Sequence, residues 1–137
     1  MTELPSDKQH AIRLEGEKAY PGECCGFLLG VFEATGPRHI VDILPMCNAR
    51  ETEAQHNRFL IAPVDFMRAE RHARAAGLEI VGFYHSHPDH PALPSDYDRE
   101  QALPFYCYII VSVNKAKAEG LTGWSLSPDR AHFNQEF

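Results

Sequence analysis

The order of apolar and polar residues along this chain switches several times between helical and strand-like periods. Residues 6–19 put Ala11, Ile12, Leu14 and Ala19 on an uneven apolar face, which predicts a first helix with Ser6 as its N-cap and Pro21-Gly22 as its stop. Residues 25–32 are almost wholly apolar with two glycines, the pattern of a strand that allows close backbone approach or a bulge. Gly36-Pro37 turns the chain into a strand over 39–44. Residues 45–57 are polar and aperiodic and read as a surface loop, followed by a short strand-like stretch at 58–61. A second helix is predicted over 63–76, started by Pro63, with Val64, Met67, Arg71 and Ala75 on one face and Gly77 as its end. The apolar, β-branched and aromatic run 79–85 reads as a buried strand, and a short helix follows from Ser95 to about Ala102, ended by Pro104. A second central strand over 106–113 and a closing hairpin, 121–126 with 131–137 around Pro128-Asp129-Arg130, complete the chain. This order predicts an α+β fold: a central mixed β-sheet flanked by two main helices plus a short third one.

With 137 residues and 44% hydrophobic content, the chain suits one domain with a real core. A net charge of -6 and a pI near 5.7 argue against nucleic acid or an anionic membrane surface as the main partner. Met1 to Asp7 is polar, and no apolar run approaches the ~20 residues that span a bilayer, so a soluble cytoplasmic protein is expected.

The chemistry concentrates in Phe83-Tyr84-His85-Ser86-His87-Pro88, followed by Ser95 and Asp98. Strand residues two apart face the same side, so His85 and His87 aim at a common point where Pro88 stops the strand. Prolines 91 and 94 turn the chain, and Asp98 sits one turn into the next helix. Two imidazoles and one carboxylate, with water in the fourth position, form the donor set of a catalytic zinc site. Ser95-x-x-Asp98 is also a helix-start signal, and the two readings are compatible. Ser86 points off the His85/His87 face and gains no catalytic role. His90 reads as exposed, Asn48 as a turn residue with a possible place on the cleft rim, and Trp124 as a core or hairpin residue. Cys24, Cys25, Cys47 and Cys107 form no C-x-x-C pair and read as small buried thiols. A cysteine nucleophile at 24 or 25 stays open, with nothing local to support it.

Glu23, in Pro-Gly-Glu-Cys-Cys-Gly-Phe-Leu-Leu-Gly, reads on its own as a solvated turn residue. Joined to His85-Ser-His87-Pro and Ser95-x-x-Asp98, it resembles the signature of the JAMM/MPN+ zinc metalloproteases, compact bacterial type. The resemblance runs from about residue 7 to the end and implies one metalloprotease domain over 1–137. It makes His85, His87 and Asp98 the ligands of one Zn2+, Glu23 the general base and Ser95 the donor to the tetrahedral intermediate. It further implies hydrolysis after the C-terminal Gly-Gly of a ubiquitin-like protein. The chain has little room for the insertions with which eukaryotic members grip ubiquitin chains, so a sulfur-carrier protein with a Gly-Gly tail is the expected partner. The runner-up is a non-catalytic MPN scaffold, a class that typically lacks metal ligands, and here none is missing.

Overall fold

The computed structural model describes residues 2–32, 38–46 and 62–137. The expected strand at 58–61, the Gly36-Pro37 turn, Cys47, Asn48 and most of the loop over 45–57 lie outside the described residues. The elements run β1 (Thr2–Glu3), α1 (Ser6–Ala19), β2 (Cys25–Phe32), β3 (Arg38–Met46), α2 (Pro63–Ala75), β4 (Glu79–Pro88), α3 (Asp96–Gln101), β5 (Cys107–Asn114), β6 (Lys117–Leu126) and β7 (Phe133–Gln135). The seven strands among the described residues join one sheet in the order β1-β3-β2-β4-β5-β6-β7. The β1/β3 and β4/β5 pairs are parallel and the rest antiparallel, which gives the expected mixed sheet.

The helices start and stop for local reasons. Ser6 is the first helical residue of α1 rather than its cap: extended Pro5 takes the cap position, and its carbonyl accepts from the N–H groups of Lys8 and Gln9. Tyr20 leaves the helix because a residue before proline is pushed out of the α region. Helix α2 begins with Pro63 and ends in a Schellman motif, with Leu78 N–H donating to the Ala73 carbonyl and Gly77 N–H to that of Arg74. Gly77 sits at φ 73°, where glycine alone is unstrained.

The two main helices cover opposite faces of the sheet. Ile12 of α1 packs with Leu28, Tyr84, Ile109 and Val111. On the other face Ala69 and Ala73 of α2 lie against Phe27, Leu29 and Ile80, with Phe66 and Phe83 alongside. The expected apolar face of α2 is therefore corrected: Val64 and Met67 are more than half exposed, and the small alanines make the contact. A third cluster, Ala92, Ile110 and Trp124, seats the loop after β4 on the sheet and places Trp124 in the core, as expected. Gly26 is required in β2, because a Cβ there would run into the ring of the fully buried Tyr84 on the neighbouring strand. Among the described residues, no helix is long and apolar enough to cross a membrane.

Candidate metal centre

Strand β4 occupies the middle of the sheet, paired with β2 through Cys25 opposite His85 and with β5 through Ile110 opposite His85 and Ser112 opposite His87. His85 is thus held by strand pairing on both sides and His87 by pairing with β5, and both project on the face that carries α2. They are 1% and 8% exposed. The strand runs on to Pro88, three residues past the expected end. Asp89 then turns the chain at φ 56°, and its carboxylate accepts from the Tyr20 hydroxyl and the Lys115 N–H.

The loop fixes one imidazole directly. His87 Nδ1 lies 2.9 Å from the Pro91 carbonyl, a contact that needs the ring proton on Nδ1 and leaves the Nε2 lone pair of a neutral ring bare. Ser95 caps α3: its Oγ accepts from the Asp98 N–H at 3.1 Å, while Asp98 Oδ2 accepts from the Ser95 N–H at 2.9 Å. The capping box and the ligand geometry are one arrangement, because the same reciprocal bonds aim the Asp98 carboxylate at the histidines.

Three side chains meet at that point. The two Nε2 atoms are 3.1 Å apart, His87 Nε2 is 3.1 Å from Asp98 Oδ2, and His85 Nε2 is 3.2 Å from Asp98 Oδ1. A tetrahedron with ligands 2.0–2.1 Å from its centre has edges of about 3.3 Å. The spacing and the donor set both fit a single ion, and His85, His87 and Asp98 form a group that could hold one.

The surrounding charges favour a cation. Burial pushes the Asp98 carboxyl up, but the charge and hydrogen bonding of His85, with His87 and the Ser95 N–H, outweigh it and hold the group well below the usual carboxylate range. Burial likewise opposes charge on His87, yet the bond to Asp98 and the Pro91 carbonyl leave it raised. Glu23 is only 5% exposed, not a solvated turn residue. Burial pushes its carboxyl up to about 8, with His87 opposing and Asp98 reinforcing the shift. A bound cation would draw it back toward the ionised form.

Glu23, His87 and Ser95 line a single cleft of about 460 Å3, with exposed His90 and Leu93 and half-buried Tyr97 beside them. The structure thus brings all five signature residues together. Ser86 faces the other side of the strand, as its alternation requires, but its Oγ accepts from the Cys24 N–H at 2.8 Å. Sequence reasoning missed this contact and those of Pro91 and Tyr20; the first and second use backbone groups that every residue type carries. Cys24, Cys25 and Cys107 are buried, as expected. Burial pushes the Cys24 thiol up to about 12, which keeps it protonated and unsuited to nucleophilic attack.

The chain is similar to several known proteins. A stretch of the chain is 36% identical over 94 residues to a desampylase of Haloferax volcanii, covering 67% of this chain and 63% of that protein. Another is 29% identical over 89 residues to a probable TtuB-protein conjugate cleaving protease of Thermus thermophilus, covering 65% of this chain and 59% of that protein. In both cases the match spans less than two thirds of the relative's length. The solved structure of a Salinibacter ruber protein is 42% identical with a TM-score of 0.77, covering 99% of this chain and 88% of that one. The family model described as prokaryotic homologs of the JAB domain matches residues 5–127, and the chain belongs to that family.

Proposed function

We propose that this protein is a zinc-dependent peptidase or isopeptidase that hydrolyses the bond after the C-terminal Gly-Gly of a ubiquitin-like protein, with a sulfur carrier as partner. The observation that carries the reading is the convergence of His85, His87 and Asp98, with Glu23 and Ser95 lining the same cleft. The names of the two relatives, a desampylase and a protease cleaving TtuB–protein conjugates, support the substrate class.

In this reading His85, His87 and Asp98 would hold one Zn2+, which would supply a nucleophile near neutral pH and Lewis-acid help at the scissile carbonyl. Glu23 removes the proton from the attacking water and delivers it to the leaving amine. The Ser95 Oγ uses a lone pair on the Asp98 N–H, so its own proton is available for the oxygen on which charge develops. Pro91 keeps His87 in the tautomer that presents Nε2. A Gly-Gly tail suits a narrow cleft beside a sheet, where an extended peptide without side chains approaches closely.

The test offers the zinc-loaded protein a sulfur carrier extended by one residue past Gly-Gly and, in parallel, a ubiquitin dimer. Cleavage of the extended carrier and little of the dimer is expected, with loss of activity when the penultimate glycine is replaced. Efficient dimer cleavage that ignores that glycine would remove the sulfur-carrier assignment.

A further inference from the structure

The segment that carries Glu23 lies beyond the β2–β4 ladder, whose last paired residues are Cys25 and His85. Regular strand bonding therefore stops two residues short of the carboxyl group. Ser86 continues the contact. Its Oγ accepts from the Cys24 N–H at 2.8 Å, and its own N–H donates to the Cys24 carbonyl at 3.2 Å. The residue is fully buried, and α1 closes over it at Gly16, where a Cβ would stand 3.4 Å from the Ser86 Cβ. Ser86 also sits between His85 and His87 in the chain, so one residue joins the Glu23 segment to both imidazoles. The pleat turns its side chain away from the cleft, out of reach of substrate. The far end of the segment has its own tie, the Tyr20 hydroxyl donating to Asp89 Oδ2 at 2.7 Å.

We propose that Ser86 is a positioning residue: by anchoring the Cys24 amide it holds Glu23 over the His85–His87–Asp98 group. The proposal rests on the role given to Glu23 above. Without the hydroxyl, the Cys24 N–H is left buried with no acceptor from Ser86, and the segment must shift to satisfy it. A displacement on the order of 1 Å at a catalytic group lowers rates by about 10²-fold, and loss of a partner supporting a metal site by roughly 10–100-fold. Alanine removes one oxygen and adds no volume, and the Tyr20–Asp89 tie and the Ser86 N–H bond both survive it.

The experiment compares wild type, Ser86→Ala, Glu23→Gln and the double variant on the extended carrier, each checked for bound zinc. In parallel, amide hydrogen exchange at Cys24 is followed by NMR in metal-free protein. Ser86→Ala is expected to speed Cys24 exchange at least tenfold, keep zinc and lower kcat by roughly 10–100-fold with KM little changed. In the Glu23→Gln background it should lower the rate no further, which a general loss of fold would not reproduce. Unchanged Cys24 exchange overturns the proposal, and so does an equal further loss in the Glu23→Gln background. If wild type cleaves nothing, the proposed reaction falls, and the Cys24 exchange alone decides the anchor. Should Ser86→Ala fail to fold, Ser86→Cys, similar in shape with a weaker acceptor, must show the same pattern at smaller amplitude.

Discussion

Replacing Glu23 with glutamine should change how the metal-free protein responds to pH. The Glu23 carboxyl is almost wholly buried, and burial lifts it from an ordinary 4.5 to about 8. Below pH 4.5 it is protonated in both folded and unfolded chains and contributes nothing to the pH dependence. Between 4.5 and 8 the unfolded chain loses this proton while the folded chain keeps it, so stability falls as pH rises, by at most about 1.4 kcal/mol per pH unit. Across the whole window the loss is a few kcal/mol, with about 5 as its ceiling. Above pH 8 both states are ionised and the loss is complete. His87, whose pKa is raised, also gives stability that is lost as pH rises through its folded value, but it is present in both proteins. The difference between the two curves therefore reports Glu23 together with its coupling to His87. Urea denaturation of metal-free wild type and Glu23→Gln from pH 4 to 9 should show the glutamine variant gaining on wild type steadily above pH 5. Bound zinc, by favouring the carboxylate, should shrink that gap. Parallel curves would mean that Glu23 faces solvent and that its placement over the metal group is wrong.

His87→Ala and Asp98→Ala should each lose stoichiometric zinc on elemental analysis and lose the stabilisation that zinc gives in thermal unfolding, whereas Glu23→Gln keeps both. Ser95→Ala should lower stability by about 1 kcal/mol through loss of the α3 cap. It should still bind zinc, because Asp98 is oriented by the Ser95 backbone N–H that alanine retains, while hydrolysis falls by about 10²-fold. Gly26→Ala should lower the urea midpoint by the equivalent of about 1–3 kcal/mol, since the new Cβ must displace the enclosed Tyr84 ring.

The His85–His87–Asp98 group was legible because two local rules coincide with it. Strand alternation puts His85 and His87 on one side, and the helix-start pattern puts Asp98 against Ser95, so ordinary secondary-structure chemistry assembles the three donors. The apolar runs gave the central strands β2, β4 and β5 to within a few residues. What stayed hidden has physical causes. The buried side of α2 is made of Ala69 and Ala73, whose small side chains give a weaker apolar signal than the exposed Val64 and Met67. The β5–β6 turn passes through Lys115 and Ala116 at φ 48° and 68°, residues that do not announce a left-handed turn, so β6 begins at Lys117 and not at 121. Strand β1 is two residues long, below what any pattern detects, and it is held by pairing with Arg38 and His39 from far along the chain. Glu23 looked like a solvated turn residue on its own, and only the fold shows why it is buried: Ser86 and Asp89 draw its segment down onto β4.

The central claim, one zinc ion held by His85, His87 and Asp98, is tested most directly by zinc K-edge X-ray absorption on the zinc-loaded protein. The account predicts one zinc per chain in a shell of nitrogen and oxygen at about 2.0–2.1 Å with two imidazoles, unchanged in Glu23→Gln and lost in His87→Ala. Sulfur scattering near 2.3 Å, or the same spectrum from His87→Ala, would contradict it.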